Sequence, residues 1–406
     1  MIYKHTSKNG LRIVMEKIPT VRSVTIGIWV LTGSRNETIE INGISHFLEH
    51  MFFKGTKTRS AQDIAEAFDS IGGQINAFTS KEYTCFYAKV LDTHKDYALE
   101  ILSDMFFNST FDEEEMEREK KVVYEEIKMY EDAPDDIVHD LLEKASFGDH
   151  ALGYPIIGSE KQLKTFNRHS LEKYIEERYT PDNVVISVAG NVDEAFVKTI
   201  EANFGNYQGI VKNSEEEQPI FLANTINRTK ATEQAHFCLG YQGLSVNADD
   251  TYSLIILNNV LGGSMSSRLF QEVREKQGLA YSVFSYHSSY LDNGLLTIYA
   301  GTGKEQLPLL TDTIYKTVDN LAQNGLTDKE LRNSKEQLKG NLVLSLESTN
   351  SRMSRNGRNE LLKKRHRTLD EMIIEIDAVT HQSIQNVIDT VFNGKVASAL
   401  IAPEAK

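Results

Sequence analysis

The chain has 406 residues, 40% of them hydrophobic and 25% charged, with a formal net charge of −14. That length builds more than one domain with its own core, and the composition is that of a globular protein rather than a disordered or fibrous one. The acidic balance, with no basic block, argues against a nucleic-acid surface, and two lone cysteines, Cys85 and Cys238, exclude a disulfide framework or a cysteine-based zinc site.

Residues 1–6 carry no apolar leader and no later run reaches the length of a membrane span, so a cytoplasmic protein without membrane contact is expected. Residues 11–17 and 22–31 read as strands from their β-branched alternation. A turn at 33–37 leads to Gly43-Ile44-Ser45-His46-Phe47-Leu48-Glu49-His50-Met51-Phe52-Phe53. In a helix, His46 and His50 share a face and can hold one metal ion. Glu49 then starts beside the metal, where a carboxylate can take a proton from water. This order inverts the thermolysin-type His-Glu-x-x-His. Histidines flanked by Phe47, Leu48 and Met51 also fit ordinary core histidines, and these residues by themselves leave both readings open.

Ser60 and Asp63 form a capping box for a helix over 61–71, stopped by Gly72-Gly73. Residues 74–90 read as two strands joined near Lys81-Glu82. The first carries Asn76, Ala77, Phe78 and Thr79. As a sheet edge it would take an extended peptide by backbone pairing; as an ordinary hairpin it would not. A helix over 95–107 precedes a long acidic helix from Asp112 to about Tyr130, opened by an Asp112/Glu115 capping box with acid at the positive end of the dipole. Glu119 and Glu126 are two turns apart in it and point to one side. Glu126 turned toward His46 and His50 would complete a two-His, one-Glu set with a fourth position open, the catalytic zinc pattern. Spacing alone equally fits a solvated glutamate.

Helical stretches at 136–146, 159–166 and 169–178 lead to a strand at 184–190 and a helix to Phe204. Residues 209–225 combine Gly, Pro and a charge run and read as a linker between domains at 1–208 and 226–406. The second half repeats the plan. A strand at 234–241, a helix at 248–261 broken by Gly262-Gly263, and further helix at 266–275 precede strands at 278–284 and 295–300. Helices at 305–323 and 327–347 and a strand at 396–401 follow. The strand pair recurs roughly 205 residues after its first copy, an internal duplication of an α+β unit. The second copy lacks His-x-x-Glu-His.

Four ordered stretches resemble the M16 peptidases, the pitrilysin and insulysin superfamily, and within it the mitochondrial-processing-peptidase-like branch of bacterial proteins. They are residues 43–56; Asn76-Ala77-Phe78-Thr79 with Thr84 and Tyr87; residues 117–127; and Arg274-Glu275-Lys276-Gln277-Gly278-Leu279-Ala280-Tyr281. The resemblance covers nearly the whole chain. It implies an α+β fold of two homologous domains of the LuxS/MPP-like metallohydrolase type, each an antiparallel-rich mixed sheet packed against helices. It implies one zinc ion per chain on His46, His50 and Glu126, with Glu49 as general base and Glu119 as a carboxylate that holds or tunes the site. Arg274 and Tyr281 match a second-half pair that reaches substrate or the developing oxyanion. Asn76, Ala77, Phe78 and Thr79 match the strand along which substrate lies. The activity implied is a zinc metalloendopeptidase, working as a homodimer on extended peptides or unfolded segments enclosed in a chamber. A non-catalytic scaffold on the same fold is the alternative, and the intact His46, Glu49, His50 and Glu126 argue against it. A dedicated maturation peptidase of the pyrroloquinoline-quinone-pathway kind would share the chemistry and differ in substrate.

Overall fold

The computed structural model describes residues 2–209 and 217–404. The chain divides into two compact units, one of Met1–Lys128, Tyr154–Glu216 and Ser345–His366, the other of Met129–Gly153, Glu217–Leu344 and Arg367–Lys406. The change from Glu216 to Glu217 falls inside the 209–225 segment, of which residues 210–216 lie outside the described residues. Each half of the sequence also gives one segment, 129–153 or 345–366, to the unit built mainly from the other half.

The first unit is built on strands β1 (Ile2–Thr6), β2 (Arg12–Lys17), β3 (Ser23–Val30), β4 (Gln74–Thr79), β5 (Thr84–Leu91) and β6 (Val184–Gly190). Their order in the sheet is β1-β2-β6-β3-β5-β4, with β2 and β6 parallel and the other neighbours antiparallel. Alternation along β3 sorts the two faces. Val24, Ile26, Ile28 and Val30 join the main core with Phe47 and Leu48 of the helix Ile44–Met51 and Leu99 and Leu102 of the helix Lys95–Asn108. Thr25, Gly27 and Trp29 face the helix Thr349–Arg358 instead. There the Trp29 indole N–H donates to Met353 Sδ (3.2 Å) and Ser187 Oγ donates to the Met353 carbonyl (2.7 Å). Gly357 is required at this contact, since a Cβ would lie 2.4 Å from the Trp29 indole nitrogen. β6, apolar but for the hydrogen-bonded Ser187, is buried along its whole length, as a strand covered on both faces must be.

The second unit holds β7 (Thr225–Thr229), β8 (Ala235–Gln242), β9 (Ala280–Ser289), β10 (Gly294–Thr302) and β11 (Val396–Ala402), in the order β7-β11-β8-β10-β9 with β7 and β11 parallel. This order repeats β2-β6-β3-β5-β4, so the duplication expected from the sequence is visible in the topology, and β11 stands where β6 does. One face carries the helices Thr251–Leu261, Leu307–Asn324 and His381–Phe392 around Leu239, Leu296 and Ile298. The other is covered by the helix Pro134–Phe147, with Ile137, Val138 and Leu142 against Cys238, Ala397 and Ala399. Each unit is therefore a mixed sheet between helices, the expected fold class.

Several elements escape the sequence reading. β1 and β7 are short outer strands, each five residues long. The helix Thr349–Arg358 shows no apolar stripe because its buried residues are Thr349, Met353, Asn356 and Gly357. The helices Leu369–Asp377 and His381–Phe392 also lie outside the elements expected from the sequence. Within the expected helix at 266–275, the segment Phe270–Lys276 is wound as a π-helix. Both cysteines are buried and unpaired, and among the described residues no helix is long and apolar enough to cross a membrane.

One half-buried charge pair in the second unit makes a stability prediction. Glu330 caps the helix Asp328–Ser345 through Thr327 and accepts from Arg268 Nε and Nη2, both at 2.8 Å. Burial alone would raise its pKa; the bonds from Arg268 and the Thr327 turn outweigh burial and bring it down to about 2 from 4.5. The folded pKa is the lower one, so the contribution is complete above pH 4.5 and lost as the pH falls toward 2. Glu330→Gln should lower the unfolding free energy by about 2 kcal/mol at neutral pH. In denaturant titrations, the gap to wild type should close below pH 4.5.

Candidate metal centre and active site

The helix Ile44–Met51 has eight residues, too few to be stable alone. It is held by Ile44, Phe47, Leu48 and Met51, all fully buried at helical spacing. Each such side chain contributes roughly 1.5–3 kcal/mol of burial. The apolar positions thus occupy one face, and His46, Glu49 and His50 occupy the other. That settles the choice left open by the sequence, because the core residues between the histidines turn away from them.

The acidic helix Glu113–Glu131 buries Met116, Glu119, Lys120 and Val123, which brings Glu119 and Glu126 onto the side of the histidines. His46 Nε2 is 3.7 Å from Glu126 Oε1, and His50 Nε2 is 3.6 Å from Glu126 Oε2. One donor atom from each residue lies within 4.8 Å of the other two, and this is the metal-type cluster found among the described residues. Zinc bonds of about 2.0–2.2 Å place tetrahedral donors roughly 3.3 Å apart, so the set fits one zinc ion with small side-chain movements. The chemistry of the donors agrees. Burial and the adjacent His50 bring the His46 pKa down to about 3, leaving a neutral imidazole with a free lone pair. Burial opposes a charge on His50, but its bond to Glu119 and the nearby Glu126 and Glu49 carboxylates outweigh it and raise its pKa.

The other nitrogens of the two imidazoles differ. His50 Nδ1 meets Glu119 Oε1 at 2.8 Å, and Lys54 Nζ meets Glu119 Oε2 at 2.6 Å. Burial would raise the Glu119 pKa; these two partners hold it below the usual carboxylate range. A carboxylate on Nδ1 fixes the tautomer that leaves Nε2 free for the metal. His46 Nδ1 is buried and, among the described residues, has no hydrogen-bond partner.

Glu49 accepts a hydrogen bond from Thr79 Oγ1 at 2.5 Å, and burial raises its pKa against the pull of that bond. Thr79 is the last residue of β4, which pairs with β5 on one side and, among the described residues, has no neighbouring strand on the other. β4 is therefore the edge strand that the sequence left undecided, and it ends beside Glu49. Asn76 is exposed on it, Ala77 and Phe78 are half-buried, and Phe78 packs edge-on to Trp29. Arg274 and Tyr281 lie in the second unit, where the guanidinium stacks 4.7 Å from the Tyr281 ring centre and 4.8 Å from that of Phe270. Tyr281 is 79% exposed. Three contacts at the site carry no sequence signal of their own: Lys54 on Glu119, the Thr79 hydroxyl on Glu49, and Glu37 beneath the first turn of the helix.

Comparison with known proteins agrees with this geometry. Residues 12–160 match the model for insulinase, peptidase family M16, and residues 165–338 match the peptidase M16 inactive domain. The uncharacterized zinc protease YmxG of Bacillus subtilis is 63% identical over 99% of this chain and 98% of its own length. An uncharacterized zinc protease of Streptomyces coelicolor is 40% identical over 99% of this chain and 90% of its own. In fold, the chain is similar to a protease from Helicobacter pylori, with a TM-score of 0.91 and 23% identity over 99% of this chain and 100% of that one. With two matching family models in series and full-length relatives, the chain belongs to peptidase family M16, and His46, His50 and Glu126 form a site consistent with one zinc ion per chain.

Proposed function

We propose that the chain is a zinc-dependent endopeptidase that hydrolyses extended peptides or unfolded polypeptide segments, with Glu49 as general base. The observation that carries this reading is the meeting of three things in one place: the His46, His50 and Glu126 cluster, a buried carboxylate on the same helix face, and the end of an open edge strand. A bound zinc ion would polarise the scissile carbonyl and acidify a water molecule. Glu49 takes the proton from that water and returns it to the leaving amine. Its raised pKa makes it a better base than a solvated carboxylate. Thr79 holds the Glu49 carboxylate in one orientation. A substrate strand paired with β4 would run toward Glu49, which selects extended over folded polypeptide. Glu119, fixed by Lys54, orients His50.

The resemblance to the processing-peptidase-like branch supports further assignments. Arg274 and Tyr281 contact substrate or the oxyanion, and the protein acts as a homodimer that encloses its substrate. The alternative, a scaffold on the same fold, requires no converging donor set and no aligned base.

A digest of a peptide library, read by mass spectrometry, tests the proposal. Internal cleavage by wild-type protein that stops on chelation is expected; no cleavage by the zinc-loaded protein overturns it. Thr79→Val removes the hydroxyl but keeps the strand. It should lower kcat about tenfold, the value of one hydrogen bond to a charged group, at unchanged zinc content.

A further inference from the structure

The two metal-site imidazoles are held differently. Glu119 fixes the His50 ring through Nδ1, whereas His46 Nδ1 is buried without a partner. The orientation of His46 must then come from its backbone and from packing. That backbone is the first turn of the helix, whose N-cap is Gly43, a residue with no side chain to cap it. Gly43 has φ +94°, which an L side chain rarely adopts, and a Cβ there would lie 2.7 Å from the Ile157 carbonyl.

A buried carboxylate supplies the missing cap. Glu37, 4% exposed, accepts from the Gly43 N–H (2.7 Å) and the Asn42 side-chain amide (2.9 Å) at Oε2, and from the Ser45 N–H (2.9 Å) at Oε1. Two of these donors are main-chain groups at the helix N-terminus, which otherwise lack a partner and attract negative charge. The turn is tied at two further points. Asn42 Nδ2 also donates to the Pro155 carbonyl (3.0 Å), and Ser45 Oγ meets Tyr174 OH (2.9 Å), which in turn meets Thr32 Oγ1 (2.9 Å). Ser45 immediately precedes His46.

We propose that Glu37 is a positioning residue for the metal site: by clamping the Gly43 and Ser45 amides it sets the direction in which His46 projects, as Glu119 does for His50. The inference rests on His46, His50 and Glu126 holding the metal, but not on peptidase activity. Glu37→Gln keeps the size of the side chain and replaces one acceptor oxygen by an NH₂ facing an N–H donor, so the clamp opens on one side.

The test is the zinc affinity of the folded protein, measured by competition with a chromophoric chelator. Glu37→Gln should bind zinc about tenfold more weakly, the low end for loss of a supporting contact to a ligand. Its kcat should fall while KM stays near wild type. Glu16→Gln is the control for destabilisation alone. Glu16 is equally buried in the same unit, accepts from Arg352 and Asn356, and faces away from the site. It should lower the melting temperature and leave zinc affinity unchanged. If Glu37→Gln does not fold, Asn42→Ala removes one donor to the same carboxylate and should give a smaller loss, about threefold. Wild-type affinity in a folded Glu37→Gln or Asn42→Ala protein overturns the proposal. An equal loss in Glu16→Gln does the same. Wild-type protein that takes up no zinc overturns the metal site itself, a result distinct from both.

Discussion

Glu49→Gln is expected to lower kcat about 10³-fold or more, with zinc stoichiometry as in wild type. Glutamine keeps the shape of the side chain and can still accept from Thr79, so neither the helix nor the three metal donors are disturbed. What is lost, in the proposed mechanism, is the ability to take a proton from water and return it to the leaving amine. The environment of Glu49 makes the loss large. Burial raises its pKa, which favours proton uptake, and among the described residues it is the carboxylate hydrogen-bonded to Thr79 at the end of β4. Kinetics with a fluorogenic peptide, paired with metal analysis of the same samples, check both halves. Residual activity within tenfold of wild type would assign the base elsewhere.

Loss of a metal donor is the second large effect. Glu126→Ala or His50→Ala should abolish zinc retention through gel filtration, and activity with it. Glu119→Gln should weaken zinc affinity by about 10–100-fold and leave some activity when zinc is supplied in excess, because Glu119 acts through His50. The order of the three effects separates donors from their support. Glu119→Gln also leaves Lys54 facing a neutral amide in place of the carboxylate it now pairs with, so part of its effect should appear as lower stability. Equal loss of zinc in all three variants would place Glu119 among the donors.

Much of this site is written in local sequence. The positions of Ile44, Phe47, Leu48 and Met51 fix the buried face of the helix, and the complement of that face is His46, Glu49 and His50. The two-turn interval between Glu119 and Glu126 likewise fixes that both point one way. What spacing does not give is which way. The long helix is glutamate-rich, and only the burial of Met116, Glu119 and Val123 selects the side that meets the histidines. The edge status of β4 depends on sheet order, a long-range property decided by β6 entering between β2 and β3. The Glu37 clamp is legible only in three dimensions, since its three donors lie five to eight residues away across an irregular turn. The helix Thr349–Arg358 hid for another reason. Its contact face uses Gly357 and Thr349 to admit Trp29 and Thr25, so close approach replaces an apolar stripe. The duplicated strand order was foreshadowed by the paired strands, while the exchange of 129–153 and 345–366 between units has no local signature.

Where a zinc ion sits decides what this site is. Crystals of zinc-loaded protein, with anomalous scattering recorded across the zinc edge, should show one strong peak per chain about 2.0–2.2 Å from His46 Nε2, His50 Nε2 and a Glu126 carboxylate oxygen, with Glu49 beside it and not bonded to it. A peak elsewhere, a Glu49 oxygen among the ligands, or no peak at this site in fully loaded protein would contradict it.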